Sequence, residues 1–268
     1  MAANDFVIKN GVLKKYKGKD ENVIIPDSVT SIGSYAFEDC SSLKNIVIPD
    51  SVKSIGSYAF DGCSSLRAVH IADIDAWAQI DFEGWSSNPL EYAHKLLLNN
   101  ELVTDAVLSD KAKKINDHAF HGCSNLTSIV IPNCVTSIGW RAFDGCSSLT
   151  SIEIPDGVTS IGGSAFSGCS SLTSIEIPDG VTSIGNSVFS GCSSLTSITI
   201  PDSVKSIGER AFDGCSSLTS ASIGNGVKII EQDAFVNCSK LKNVTIPEGI
   251  KYQFRKNVTV TRIPKKKQ

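Results

Sequence analysis

A β-rich solenoid, one long stack of short coils rather than a closed globule, is the fold class that three features of the sequence predict. The first is a unit, LTSIEIPDGVTSIGGSAFSGCSS at residues 149–171, that recurs with small changes every 23 residues. The second is a phenylalanine column: Phe37, Phe60, Phe120, Phe143, Phe166, Phe189, Phe212 and Phe235 stand 23 apart, with a single interval of 60. The third is an L-x-x-I-x-I segment in each unit, whose alternating apolar residues suit a strand with one buried face.

A period between roughly 20 and 29 residues carrying that segment predicts a leucine-rich repeat solenoid. It should be mainly β, with a parallel concave sheet, short convex strands and helical turns, and a small α+β insert. Within one unit, Leu149, Ile152 and Ile154 face inward from the strand. Pro155, which has no amide to donate, and the turn-forming Asp156-Gly157 end it. Val158 and Ile161 return to the core, Gly162 follows, and Ala165, Phe166 and Cys169 are expected on a short helical turn on the convex side. Stacked at about 4.8 Å per coil, roughly ten coils make a rod on the order of 50 Å long.

Residues 1–21 precede the first regular coil. Strands at 6–8 and 12–16 flank Asn10-Gly11, a strong hairpin signal, and a solenoid needs its first apolar layer covered, so this hairpin reads as an N-terminal cap. The repeats occupy residues 22–247. At about 72–108 the pattern breaks: 37 residues separate equivalent positions, and the 14 extra residues are expected to leave the solenoid. One helix is expected at 75–80 with Asp73 as its cap, and a second after Asn88 with Pro89 at its first position. Residues 96–98 and 102–103 around Asn99-Asn100 read as a returning hairpin. The strand at 218–223 looks weakened by Ala221 and by Gly224 in place of Pro. Residues 248–268 form a C-terminal cap, closed by a strand with Val258 and Val260 alternating, and a tail with Lys265, Lys266 and Lys267.

In a solenoid each coil touches only its neighbours, so all 268 residues can make one domain. A net charge of -3 gives no general attraction for nucleic acid or acidic membrane. No apolar run reaches the roughly 18–20 residues of a membrane span, and the first residues lack the pattern of a secretory signal. Eight of the nine cysteines sit three residues after a Phe, in one inward-facing slot, which suggests reduced thiols packed as small hydrophobes. Neighbouring slots are close enough for disulfides, but a regular ladder gives each thiol two equal neighbours. Cys134, in IPNCV, is the exception and is expected to be exposed at a turn.

The repeated residues closely resemble the BspA-like, or Treponema-type, leucine-rich repeat family, whose unit runs C-x-x-L-x-x-I-x-I-P-x-x-V-x-x-I-G-x-x-A-F. The resemblance covers nearly all of residues 22–247. The break, with W-x-x-I-D-F, S-N-P-L and L-V-T-D, is similar to an atypical module among such bacterial proteins. Members are mostly secreted or surface-attached and bind host proteins, matrix or other bacteria. The resemblance therefore implies a non-enzymatic protein-binding or adhesion role at the cell surface, and it carries no catalytic residues. The competing reading is a structural or consensus-like designed scaffold with no ligand of its own.

The outward columns of the concave strand are the first candidate surface. One reads Asn45, Ala68, Asp105, Ser128, Ser151, Ser174, Ser197, Ser220, Asn243, and the other Val47, His70, Val107, Val130, Glu153, Glu176, Thr199, Ser222, Thr245. This is a flat, largely polar face, varied mainly at His70, Glu153 and Glu176, with Thr199 beside them. Trp77 and Trp85 in the break could anchor a partner, although such aromatics more often fold an insert onto its neighbours. Trp140 stands in the variable pair before Ala-Phe and should be partly exposed. The four histidines, His70, His94, His118 and His121, lack metalloprotease spacing, and no nucleophile elbow or phosphate loop occurs. His118 and His121 would share a helical face, but two histidines without a further ligand are a weak metal signal. No cofactor or metal site is read.

Overall fold

The structure is a computed structural model that describes residues 5–264, apart from the side chain of Trp85. The lysine tail lies outside the described residues. Most regular coils make two short parallel strands and a string of turns. Ser128–Val130 pairs with Ser151–Ile152 of the next coil, and Ser137–Ile138 pairs with Ser160–Ile161. Inward side chains are buried and outward ones are wet: Ile152 and Ile154 are in the core, while Glu153 between them is exposed. Stacking these strands builds a concave sheet and a second sheet beside it. The concave sheet falls into three hydrogen-bonded blocks, over residues 22–102, 105–152 and 197–263.

The expected helical turn over Ala165 to Cys169 is instead a run of tight turns. Ser164 and Gly168 take left-handed backbone, φ 54° and 69°, which a right-handed helix cannot accommodate. In the end coils Asp39 and Asn237 replace this glycine, at φ 57° in both, and Asp and Asn tolerate that region better than most residues.

At the centre of these turns the Phe peptide is tied to both neighbours. The amide of Phe143 donates to the Ala165 carbonyl one coil on, at 2.8 Å. The carbonyl of Phe143 accepts the Cys146 amide of its own coil and the Cys169 thiol of the next, at 3.2 Å. The same thiol bond joins Cys63 to Phe37, Cys146 to Phe120, Cys192 to Phe166, Cys215 to Phe189 and Cys238 to Phe212. The slot thus uses cysteine as a donor as well as a small hydrophobe. All nine thiols are free. Burial pushes Cys63, Cys123 and Cys238 up to about 12. Cys134 is only partly exposed, with its Sγ 3.3 Å from the Ala112 carbonyl, and Cys40 in the first coil is equally part-exposed. Above the peptides the rings stack, with Phe120 and Phe143 5.4 Å apart and 2° from parallel. Each such pair adds about 0.5–1.5 kcal/mol beyond its buried area.

The N-terminal hairpin, Phe6–Lys9 with Val12–Tyr16, turns through Asn10 and Gly11 and joins the second sheet through Leu13 beside Ile32. Its Tyr16 amide donates to the Ala36 carbonyl and its ring packs 5.3 Å from Phe37, so Tyr16 acts as a preceding coil's Phe would. At the other end Thr259–Ile263 pairs with Asn243–Pro247, and the Tyr252 hydroxyl accepts the Phe235 amide.

The 14 extra residues do not leave the solenoid. Asp81–Phe82 extends the second sheet beside Ser54–Ile55, and Leu96–Leu98 extends the concave sheet beside Val69–Ile71. Residues 69–96 therefore form a longer coil of their own, and the hairpin of Leu96–Leu98 with Glu101–Leu102 follows. Helix α1 (Ile74–Ala78) is capped by Asp73, which accepts the amides of Asp75 and Ala76. Helix α2 (Leu90–Ala93) starts where Asn88 Oδ1 accepts the Leu90 amide. Nor is the strand at Ser220–Ile223 weakened: it pairs on both sides, and Gly224 donates to the Ile200 carbonyl where a proline could not.

Coil contact is closest at the Ile-Gly step. A Cβ on Gly162 would meet the Trp140 amide nitrogen at 2.4 Å, whereas one on the adjacent Gly163 would find its nearest atom at 3.3 Å. Gly162→Ala should destabilise by about 1–3 kcal/mol through overpacking, and Gly163→Ala by clearly less, as denaturant midpoints would measure.

Candidate functional site

Register shows which side chains the concave face presents. Ile24 stands beside Val47, Val47 beside His70, and His70 beside Leu97. In the next block Val107 stands beside Val130. The expected columns lacked Ile24 and Leu97. Leu97 was hidden because its coil is 27 residues long rather than 23. Ile24, Val107 and Val130 are 57%, 66% and 57% exposed. In the first half of this face one outward column is therefore largely apolar, with His70 within it, while the other, with Asn22, Asn45, Asp105 and Ser128, is the polar surface expected. Leu102 on the hairpin adds a further exposed apolar side chain.

Beyond Val130 the face changes character. Glu153 and Glu176 are exposed and, with Asp156, Asp179 and Asn133, line a depression on the concave side. Strand pairing lapses over residues 174–177, and a second depression opens there, bordered by Glu176, Ser197 and Thr199. Thr199 is exposed on the strand Ser197–Ile200. His70 is half-buried, with Nδ1 3.0 Å from Asn100 Oδ1 of the hairpin.

Trp77 is withdrawn as a partner anchor. Only 1% of it is exposed, and its Nε1 donates to the Ala119 carbonyl at 2.8 Å. In regular junctions that carbonyl accepts a Phe amide from the preceding coil, but the long coil has no Phe at the equivalent position, its Phe82 lying in the second sheet. Asn88 Nδ2 assists by donating to the His118 carbonyl at 2.6 Å. Trp85 belongs to the short turn Trp85–Ser87, and its side chain lies outside what the structure describes.

Trp140, 42% exposed, lies on the convex turn. The Arg141 guanidinium sits 4.8 Å over its ring, and His118 packs edge-on at 4.8 Å. His118 and His121 are on left-handed and tight-turn backbone, not a helix, with rings 5.8 Å apart. His121 Nε2 is 2.7 Å from Glu91, and its Nδ1 is 3.5 Å from Asp144. His118 is 1% exposed, and its Nδ1 has no hydrogen-bond partner. Burial first, then the charges of His121 and Arg141, lowers its pKa from 6.5 to about 4. Among the described residues, no group of three or more His, Cys, Asp or Glu converges on a metal position.

Sequence comparison agrees with this geometry. The model of the BspA type leucine-rich repeat region matches six copies, over residues 8–87, 95–190 and 160–261. The chain belongs to this BspA type leucine-rich repeat family. Among solved structures, this BspA-type chain is similar to the leucine-rich repeat protein TpLRR of T. pallidum, with 26% identity over 90% of each chain and a TM-score of 0.42. It shares the fold of a leucine-rich repeat protein from Eubacterium ventriosum, with 19% identity over 94% of this chain and 86% of that one and a TM-score of 0.58. The pneumococcal vaccine antigen PcpA has the same fold, with 18% identity over 90% and 74% of the chains and a TM-score of 0.56. No curated protein matches the chain.

The buried His118 predicts a pH dependence with a definite sign. Because its folded pKa is lowered, its stabilising contribution is complete above about pH 6.5 and is lost as pH falls towards 4. His118→Asn keeps a side chain that tolerates φ of 60° and removes the titration. Between pH 7 and 4.5 the parent should lose on the order of 2–3 kcal/mol more unfolding free energy than the variant, measured by urea titration at both pH values.

Proposed function

We propose that this chain is a non-enzymatic protein-interaction or adhesion module that presents its concave face to proteins of a host, of extracellular matrix or of bacterial surfaces. The observation that carries this reading is the group of exposed apolar side chains Ile24, Val107 and Val130 on the outward side of the concave sheet. Exposed apolar side chains grouped on one face mark interaction sites in soluble proteins. Membership of the BspA type family supports a surface location, and no helix among the described residues is long and apolar enough to cross a membrane. His70 lies between Val47 and Leu97, and Glu153, Glu176 and Thr199 follow Val130 on successive coils; these would tune selectivity, while Trp140 offers a separate contact on the convex side. The absence of a shared catalytic set in this family favours binding over catalysis.

A spacer or scaffold without a ligand is the second reading, and the near-identity of the coils from Leu126 to Cys215 favours it. Capture experiments separate the two. Immobilised protein is offered matrix proteins and solubilised host and bacterial surface proteins, in parallel with a Val107→Asp/Val130→Asp variant. The adhesion reading expects a protein partner whose affinity falls at least about tenfold, some 1.4 kcal/mol, in the variant. Absence of any captured partner would favour the scaffold, and equal capture by both proteins would place the contact away from Val107 and Val130.

A further inference from the structure

The formal charge of -3 conceals a strong separation along the chain. Residues 142–204 contain no Lys or Arg, but they carry Asp144, Glu153, Asp156, Glu176, Asp179 and Asp202. Residues 249–268 are the reverse, with seven Lys or Arg and no Asp or Glu. The acidic coils are also where the concave sheet opens, since pairing lapses at 174–177 and Glu153, Asp156, Glu176 and Asp179 line the depression. Among the described residues none of these four carboxylates forms an ion pair. At the C-terminal end Lys251, Arg255, Lys256 and Arg262 are all exposed and, among the described residues, equally without an ion pair.

We propose that the open concave face around Glu153 and Glu176 is a self-association site that receives the basic C-terminal end of a second copy of this chain. The two patches complement each other in charge, and the described basic residues cannot reach the acidic face of their own copy. Thr259–Ile263 is fixed in register against Asn243–Pro247. Four rungs, roughly 19 Å at about 4.8 Å each, separate Thr261 from Glu176 along the stack. That exceeds the screening length of about 8 Å at physiological salt. Two copies lying antiparallel would form both contacts at once, as a two-fold dimer; a single contact repeated head to tail would build an open chain. The apolar run at Ile24, Val107 and Val130 stays outside this contact, so one face would serve two different associations.

Sedimentation velocity of the full chain, over a concentration series at about 50 mM and 500 mM salt, tests this. Association at low salt that weakens at least tenfold at high salt is expected, because the screening length shrinks several-fold over this range. Glu153→Lys/Glu176→Lys should be monomeric, as should Arg255→Glu/Lys256→Glu/Arg262→Glu, and an equimolar mixture of the two should associate again. Glu153→Gln/Glu176→Gln, a milder change, should weaken association several-fold; circular dichroism checks that every variant is folded. A parent that stays monomeric at low salt, or charge-reversed variants that associate as the parent does, would overturn the proposal. So would loss of association in Val107→Asp/Val130→Asp, since those residues lie outside the contact. A monomeric parent would leave the capture of a partner protein by the apolar run unaffected.

Discussion

Every regular coil depends on one peptide group, that of the phenylalanine in Ala-Phe-x-x-Cys or, once, Val-Phe-x-x-Cys. Its amide reaches forward to an Ala or Val carbonyl of the next coil, and its carbonyl receives an amide from its own coil and a thiol from the next. Both polar atoms are buried under stacked rings, where an unpaired donor or acceptor costs about 1–3 kcal/mol. The fold is consequently constrained wherever this group lacks its normal neighbour. At three places a different residue supplies a bond that a regular neighbour would make. Tyr16 provides an amide and a ring at the start, Trp77 an indole N–H at the long coil, and Tyr252 a hydroxyl at the end.

The same constraint explains where variation is allowed. Positions facing the Phe peptide are held to Ala, Phe, Cys and closely packed Gly, whereas the outward concave residues meet no such demand. There the chain changes from apolar at Val107 and Val130 to acidic at Glu153 and Glu176, then to hydroxyl-bearing at Thr199 and Ser222. Two surfaces of different chemistry thus share a backbone that is nearly the same from coil to coil.

Much of this was legible in the sequence because periodicity reports packing. The Phe column, the inward Ile-x-Ile, the Asn10-Gly11 hairpin and the Asp73 cap all follow from local rules, and each is present. What was not legible depended on contacts between coils. Trp77 looked like a possible anchor because nothing local says that Ala119, 42 positions away, lacks its Phe amide. Leu97 was missed because equal spacing was assumed across a coil of unequal length. The convex helical turn failed because a left-handed residue before Ala, such as Ser164 or Tyr58, leaves no mark in composition. Of the candidate surface, Glu153, Glu176 and Thr199 were named from their column, but its apolar half was read as incidental to a polar sheet.

Amide hydrogen exchange at single-residue resolution tests the central constraint most directly. If the Phe peptide holds the coils together, the amides of Phe143, Phe166 and Phe189 will fall in the slowest class, exchanging only on global opening. The amides of residues 174–177, where strand pairing lapses, will exchange faster. Phe amides exchanging as fast as those of residues 174–177 would contradict the account and place the stability of the stack elsewhere.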